Sequence, residues 1–455
     1  MSHIPESELV LYATQPEAVA AARRGEIEAH LAACAECQEA HDFFAIHEEE
    51  LSAALAEPDT WEPMMGSDTY VALMEYGARV AEEDRDAELI LAPYLDNPIS
   101  AAWTTLTTKR RFRTGGVVRK LCAAAHGIYE SKPLVALTFA DAAISVAETL
   151  ADDSYPANAV YRLRGTAWKK RANAQMYLGQ FPQAYESLNR AERAYGRTPY
   201  NGLGLASVAL VRAGVMYAQG RSNDALAMAE RAERGFAHAC DEKRRMDAAF
   251  LRGGILFEAG DPHSALSVFR RVIEHGENTA SDRWIAFGSY AAGNCEIERG
   301  NLGEASLHFH RAIVIFRVRG PELQRLLTEW GIARVMFHSG RLNEAIARLQ
   351  DIAAELEISG MVSYAAYVRL DVAEGLLALN RSREIVELAR HLFAVFTNVG
   401  ILTGALSALA YLKEAASSNR LTKDDVAAVR TFLRRAERQP ALEFVPPPRH
   451  PKDPV

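Results

Sequence analysis

The sequence has few cysteines and no long apolar run, and both absences exclude classes of protein. Only five of the 455 residues are cysteine, and this odd, scattered set is not a disulfide framework. No stretch of about 18 apolar residues occurs, which excludes a membrane-spanning helix. The first residues lack a basic segment followed by an apolar one, so no secretory signal is indicated. We therefore expect a cytoplasmic protein with no membrane partner.

An excess of basic residues is also missing. The chain has 51 lysines and arginines against 59 aspartates and glutamates, a net charge of −8. Domains that bind nucleic acid carry a basic surface, so nucleic acid is not expected as a direct partner. The sequence contains no G-x-S-x-G, P-loop, H-E-x-x-H or dinucleotide-binding glycine motif. We expect that the chain is not an enzyme and has no catalytic residues.

Clusters of β-branched residues bounded by turns are scarce, whereas alanine, leucine, arginine and glutamate dominate. This bias favours helices and predicts an all-α protein. A single compact core rarely exceeds about 250–300 residues. A chain of 455 residues therefore indicates several domains or a repeat array.

One pattern recurs from about residue 116 onwards. A small residue lies on a first helix, a turn residue follows seven positions later, and an alanine follows five positions after the turn. Successive turn residues are forty positions apart: Gly220, Gly260, Gly300, Gly340 and Asn380. Glycine and asparagine adopt the left-handed conformation that ends a helix. A period of this length predicts an array of helical hairpins that bury their faces by stacking.

The segment AWKKRANAQMYLGQFPQAYESLNRAERAY (167–195) carries this pattern most clearly. It resembles the tetratricopeptide repeat (TPR) family through five residues, which are Trp168, Ala172, Gly179, Phe181 and Ala184. It departs from the family at Arg171 and Gln175, where a leucine and a tyrosine are usual, and the period exceeds the usual thirty-four residues. The resemblance covers roughly residues 116–437. It implies a right-handed TPR-like α-solenoid with a peptide or protein bound in its concave face.

A second motif, His30-x3-Cys34-x2-Cys37, lies within GEIEAHLAACAECQEAHDFF (25–44). Residues four apart share one face of a helix, and the C-x2-C step brings both thiolates toward the same point. Zn²⁺ prefers four such ligands in a tetrahedron. Three are present in this motif, and His3 or His41 is the candidate for the fourth. The alternative is that the two cysteines are inert small residues on a helix.

The combination of HIPESELVLYA (3–13) with IEAHLAACAECQEA (27–40) resembles the zinc-binding anti-sigma factor module. Carried over by position, this resemblance implies the zinc ligands His3, His30, Cys34 and Cys37. In that family the module clamps a sigma factor and keeps it from RNA polymerase. Many members continue into a membrane helix, whereas this chain continues into the repeats. A Cys34–Cys37 disulfide would close only a short local loop, so redox switching is not favoured.

These observations predict five segments. They are an anti-sigma-like zinc-binding domain (1–56), a linker with two prolines and a glycine (57–66), a helical cap region (67–115), the TPR-like solenoid (116–437), and a Pro-rich disordered tail (438–455). The remaining cysteines, Cys122, Cys240 and Cys295, have alanine and apolar neighbours, and we expect them to be buried.

Two functions are compatible with this organisation. The first is a regulatory protein of the anti-sigma type, whose zinc module binds a sigma factor or similar partner and whose solenoid binds a second protein or peptide. The alternative is a TPR adaptor or scaffold in a bacterial signalling or defence complex, with a purely structural zinc module. A likeness of fold alone does not identify a partner.

Overall fold

A computed structural model describes the chain over residues 4, 6–14, 16, 19–34, 37–38, 41–42, 68–95, 103, 109–129, 132–150, 155–198, 201–399, 403–438 and 443–447. Its regular secondary structure over these residues is entirely helical, which confirms the predicted all-α class. None of the described helices is both long and apolar enough to cross a membrane. The predicted linker at 57–66 lies outside the described residues.

The chain divides into two compact units. The first comprises Met1–Gly127, Thr138–Ala167 and Arg197–Tyr200, and the second comprises Ile128–Leu137, Trp168–Gly196 and Asn201–Val455. The helices up to residue 177 are α1 (Glu6–Thr14), α2 (Ala21–Ala33), α3 (Asp68–Leu95), α4 (Gly115–Ile128), α5 (Pro133–Thr149) and α6 (Ala157–Tyr177).

The helices that follow form a regular series of antiparallel hairpins. They are α7 (Phe181–Tyr195), α8 (Gly202–Ala218), α9 (Ser222–His238), α10 (Glu242–Glu258), α11 (Pro262–Asn278), α12 (Asp282–Glu298), α13 (Leu302–Arg319), α14 (Glu322–His338), α15 (Leu342–Ile358), α16 (Val362–Ala378), α17 (Ser382–Val399), α18 (Thr403–Ser417) and α19 (Lys423–Arg438). Each helix from α7 onwards packs against the next in the chain. The predicted TPR-like stack of hairpins is confirmed. We call the even-numbered helices from α8 to α18 the first helices of their hairpins.

The turn residues predicted from the forty-residue period have the expected backbone. Gly220, Gly260, Gly300 and Gly340 have φ between 75° and 84°, and Asn380 has φ 58°. The connections between hairpins use the same conformation. Cys240, Ala280 and Gly360 lie midway between those positions and have φ of 53°, 51° and 73°. The left-handed turn therefore recurs every twenty residues from 220 to 380 except at Gly320, and of the three left-handed turns between hairpins only the one at 360 has a glycine.

Each of these turns is closed by a backbone hydrogen bond back into the preceding helix. The amide of Asp241 donates to the carbonyl of Phe236 over 2.9 Å, and that of Ser281 donates to Gly276 over 2.8 Å. This bond across five residues satisfies a carbonyl that the helix end leaves open. It fixes the direction in which the next helix leaves.

The connection between α13 and α14 differs. Proline has no amide hydrogen, so Pro321 cannot donate the closing bond that Asp241 and Ser281 donate in their turns. Gly320 accordingly has an extended backbone, with φ −89° and ψ 161°. Helix α13 is also one residue longer than its neighbours, at 18 residues against 17 for α12.

The cores of two hairpins combine a glycine on the first helix with a phenylalanine on the second. A Cβ added at Gly293 would lie 2.9 Å from the ring of Phe309, and one at Gly253 would lie 2.6 Å from the ring of Phe269. The hairpin after Phe309 has Ala333 and Leu349 at these two positions, and both are fully buried. The smallest residue on the first helix therefore faces the largest on the second, and a slightly larger one faces a smaller partner. The space between the two helices stays filled, as close packing requires.

Arg171 and Gln175 depart from the TPR pattern, and both join a polar group inside the second unit. The hydroxyl of Ser187 donates to Gln175 Oε1 over 2.7 Å, and Arg171 donates to the same hydroxyl over 3.4 Å. Gln175 and Ser187 are buried. Because these buried polar groups are partnered, the hairpin tolerates them in place of apolar residues.

The last hairpin is placed differently from those before it. Its second helix, α19, packs against α16, the first helix of the preceding hairpin. Val426, Val429 and Phe432 on α19 lie in the same buried cluster as Leu370 of α16. Beyond it, residues 443–447 of the predicted disordered tail have no helix or strand, and the ring of Phe444 packs against Phe432 at 5.2 Å.

The prediction that three cysteines are buried is confirmed for Cys122 and Cys295 and is wrong for Cys240. Burial raises the pKa of the Cys295 thiol to about 12, so this cysteine is an unreactive core residue. Cys240 is exposed because it occupies a left-handed turn between two helices.

Candidate functional site

The two N-terminal helices form a small core of their own. Its buried members are Ile4, Leu9, Val19, Ile27, Leu31 and Cys37. Helix α2 ends at Cys34, where the backbone becomes extended with φ −128° and ψ 105°. The amide of Gln38 then donates to the carbonyl of Cys34 over 3.0 Å, which forms a helical turn around Cys37. The C-x2-C step therefore lies at the end of one helix and the beginning of another.

Polar contacts attach α1 to α2 on the outside of this core. The guanidinium of Arg23 donates to both carboxylate oxygens of Glu8, over 2.6 and 2.7 Å. The hydroxyl of Tyr12 donates to Glu28 Oε1 over 3.0 Å, and burial raises the pKa of Tyr12 to about 12. These bonds join the segment that follows residue 3 to the helix that carries His30.

The structure brings three ligand atoms close together, as the spacing predicts. A ring nitrogen of His30 and the sulfur atoms of Cys34 and Cys37 all lie within 4.8 Å of one another. In a tetrahedral zinc site, bond lengths of about 2.0–2.3 Å place neighbouring ligand atoms about 3.3–3.8 Å apart. Because none of the three separations exceeds 4.8 Å, the atoms need to approach by at most about 1.5 Å to hold zinc.

His30 offers a further indication. Its Nε2 atom is buried and has no hydrogen-bond partner among the residues that the structure describes. An unpartnered buried polar atom costs about 1–3 kcal/mol, so natural proteins rarely leave one. A metal bound at this nitrogen would remove that penalty. The donor set of one imidazole and two sulfurs is the type that zinc prefers.

The two candidates for the fourth ligand are placed differently. His3 lies outside the described residues, but its neighbour Ile4 belongs to the same buried cluster as Leu31 and Cys37. His41 is described, and it is not part of the close group of ligand atoms. Its Nδ1 lies 3.5 Å from Asp42 Oδ1, and its ring centre lies 5.5 Å from that of Tyr12.

A pocket of about 270 Å³ lies in the second unit, on the face formed by the first helices. Three successive first helices, α12, α14 and α16, contribute to its wall, and α19 crosses over to contribute Arg430. Its charged and titratable lining residues are Glu298, Arg334, His338, Asp371, Glu374 and Arg430. Arg430 reaches this face because α19 packs against α16.

The two guanidinium groups of the pocket are each held by partners. Arg334 donates to Asn294 Oδ1 over 3.2 Å and to Glu298 Oε1 over 3.1 Å. Arg430 lies 2.6 Å from Asp371 Oδ1 and 3.2 Å from Glu374 Oε2. These pairs connect helices of different hairpins, so they also fix the pocket wall.

Asp371 has a second partner, because the indole Nε1 of Trp330 donates to its Oδ2 over 2.6 Å. Both of its carboxylate oxygens are therefore occupied. Partial burial and the nearby Arg334 lower the pKa of His338, so its imidazole is neutral at neutral pH.

The sequence prediction did not identify this pocket, although a signal for it exists. The residue six positions before each turn residue is glycine at 214 and 254, and then Asn294, Arg334 and Glu374. Three polar residues at one position of successive repeats indicate a polar strip along the face of the first helices. The contribution of Arg430 could not be read from the repeat pattern, since α19 departs from it.

Comparison with known proteins bears on the fold. No protein-family model and no curated protein matches the sequence. Among solved structures, aspartyl phosphate phosphatase F from Bacillus subtilis has a TM-score of 0.50 at 14% identity, over 87% of this chain and 96% of that chain. The apo quorum sensor NprR from B. thuringiensis has a TM-score of 0.43 at 11% identity, over 71% of this chain and 99% of that one.

A Rap protein complexed with competence and sporulation factor has a TM-score of 0.42 at 17% identity, over 72% of this chain and 98% of that one. The similarity to phosphatase F supports the TPR-like helical fold described above. At this level of identity the similarity concerns the fold alone.

Proposed function

We propose that this chain is a regulatory protein that acts by binding other proteins, with a zinc-stabilised N-terminal module and a TPR-like array as its two binding regions. In this proposal His30, Cys34 and Cys37 hold Zn²⁺, and His3 is the fourth ligand. The observations that carry it are the proximity of the ligand atoms of His30, Cys34 and Cys37 and the buried Nε2 of His30, which has no hydrogen-bond partner among the described residues.

The three described donors are of the kind that zinc prefers, and His3 would complete the set of four. Bound zinc would supply a rigid four-way link between the N-terminus, the end of α2 and the turn that follows. The chain's own contribution is to orient the donors: Leu31 and Cys37 are anchored in the core, and Cys34 lies where α2 ends. Ile4 belongs to that core, which supports His3 over His41 as the fourth ligand.

The role of the module is proposed from its pattern. The sequence resembles the anti-sigma factor module, which binds a sigma factor. A zinc-held module whose geometry is complete only with metal present would expose a defined helical surface to such a partner. We propose a sigma factor or a similar protein as the partner of this region.

The array would bind a second protein or peptide. Its first helices present a continuous face, and the pocket at Arg334 and Arg430 lies on that face. Because the array is built from many similar hairpins, such a face can contact an extended segment of a partner.

The zinc proposal is tested by elemental analysis of the full-length protein, purified without chelator and under reducing conditions. We expect about one zinc per chain in the natural protein. We expect loss of the metal in Cys34→Ser/Cys37→Ser and full retention in the matched control Cys122→Ser/Cys240→Ser. Absence of zinc from the natural protein would contradict the proposal.

The sigma-factor proposal is tested with the same full-length variants as bait in the protein's own cells. We expect the natural chain to retain a sigma factor and the Cys34→Ser/Cys37→Ser chain to lose it. If neither chain retains a sigma factor, the anti-sigma role is wrong even where zinc is found.

The second candidate function is an adaptor or scaffold with a purely structural zinc module, in a bacterial signalling or defence complex. The pocket on the array is the observation that favours it, since this binding surface belongs to the array alone. A partner retained equally by the natural and the Cys34→Ser/Cys37→Ser chains would favour this function over the first.

A further inference from the structure

We propose that the pocket formed by α12, α14, α16 and α19 binds a basic side chain, arginine or lysine, of the partner that the array recognises. This inference deepens the proposed function, because it rests on the array binding a protein or peptide. It concerns one subsite and specifies the chemistry of the group that enters it.

Two carboxylates of the pocket have an oxygen that accepts no hydrogen bond from a described residue. Glu298 uses Oε1 for Arg334, and Glu374 uses Oε2 for Arg430. Hydrogen bonds to Glu298 Oε2 and Glu374 Oε1 are absent among the residues that the structure describes. These two oxygens can accept further hydrogen bonds. A cationic group supplies both the donors and a charge of opposite sign.

The charge of the pocket favours the same group. Three carboxylates, from Glu298, Asp371 and Glu374, face two guanidinium groups, from Arg334 and Arg430. With the imidazole of His338 uncharged, the balance is one negative charge. An arriving ammonium or guanidinium would neutralise it. A carboxylate would double the excess of negative charge, although it could accept from Nε of Arg430, which is buried and has no hydrogen-bond partner among the described residues.

The dimensions of the pocket agree with a single side chain. Pockets that enclose drug-sized molecules have volumes of about 300–1,000 Å³. This one, at about 270 Å³, is smaller, and the aromatic residue Phe337 is part of its lining. An aromatic ring beside carboxylates is a favourable surface for a guanidinium or ammonium, which is attracted to the ring face.

The experiment uses full-length protein and two fluorescently labelled probes, tetra-arginine and tetra-glutamate, with binding followed by fluorescence anisotropy at physiological salt. The test variant is Glu298→Gln/Glu374→Gln. The matched control is Glu344→Gln/Glu384→Gln, which removes the same charge from two exposed pairs at the starts of α15 and α17. The control accounts for general attraction to a chain of net charge −8.

We expect the natural protein and the control variant to bind tetra-arginine alike. The test variant should bind it about tenfold more weakly, as expected when a charge-assisted hydrogen bond is lost. Equal weakening in test and control variants would overturn the proposal, and so would tighter binding of tetra-glutamate than of tetra-arginine. If the double variant fails to fold, Glu298→Gln alone serves, since that side chain is about half exposed.

A separate measurement distinguishes failure of this subsite from failure of the proposed function. The partner retained by the natural chain is tested against Glu298→Gln/Glu374→Gln. Full retention would overturn the basic-side-chain subsite and leave the binding function of the array intact. Selective loss of the partner with this variant, and not with Glu344→Gln/Glu384→Gln, would support the subsite.

Discussion

The N-terminal core and the hairpin array are both helical, yet they are stabilised in different ways. The described N-terminal core contains six buried apolar residues, and only three of them lie on its two short helices of 9 and 13 residues. The array buries several side chains in every helix, and each helix is covered by its neighbours. Small cores below about 40 residues usually need a metal or crosslink, whereas stacked repeats gain stability from each added interface. The two regions should therefore respond to different perturbations.

Removal of zinc should produce the largest difference in stability between the two regions. Structural zinc sites in small peptides contribute about 10–16 kcal/mol, so a chelator should abolish hydrogen-exchange protection of the α2 amides. Protection of α12 to α16 should not change. Exchange measured by mass spectrometry, with and without chelator, checks this expectation. Loss of protection in both regions together would show that the array also depends on the metal.

The complementary perturbation acts only on the array. Gly293→Ala places a methyl group against the ring of Phe309, and such overpacking costs about 1–3 kcal/mol. Adding Phe309→Leu should recover part of the loss, with a coupling of about 0.5–3 kcal/mol. The double variant reproduces the Ala333 and Leu349 pair of the next hairpin.

This cycle is measured by local hydrogen exchange in α12 to α14, because repeat arrays need not unfold in one step. The zinc content should be the same in all four proteins. Additive effects of the two substitutions would contradict the volume balance inferred from the contact.

The smallest effect concerns the turns. Ala280 has φ 51°, a conformation that costs an alanine about 1–2 kcal/mol and a glycine almost nothing. Ala280→Gly should therefore stabilise the neighbouring helices by about 1 kcal/mol, once the greater freedom of glycine in the unfolded chain is subtracted. Gly260→Ala is the matched reverse change, and it should destabilise. Local hydrogen exchange in the helices that flank each turn measures both, and equal signs would contradict the strain argument.

The features that sequence reasoning predicted correctly are local ones. The left-handed turns at Gly220 and Asn380 follow from residue type and spacing, and the proximity of His30, Cys34 and Cys37 follows from eight consecutive residues. The exposure of Cys240 was missed because its turn lacks glycine, so the apolar neighbours suggested a buried helix position.

The pocket could not be predicted because it depends on distant parts of the chain. Arg430 reaches Asp371 and Glu374 only because α19 lies on α16 and not in the position that the preceding hairpins imply. Nothing in the local pattern of α19 specifies this placement. His3 as the fourth zinc ligand, and zinc itself, remain predictions of the sequence pattern.

The missing closing hydrogen bond at Pro321 has a mechanical consequence. At most connections of the array a backbone hydrogen bond across five residues closes the turn, but between α13 and α14 that bond is missing and the amide of Gly320 donates to Phe316 four residues back. Glu298 lies before this joint, whereas Glu374 and Arg430 lie after it. Flexing at the joint therefore changes the separation of the two carboxylates. A ligand that bridges them would link the helices on either side of this connection, so its binding and the angle between those helices would be coupled.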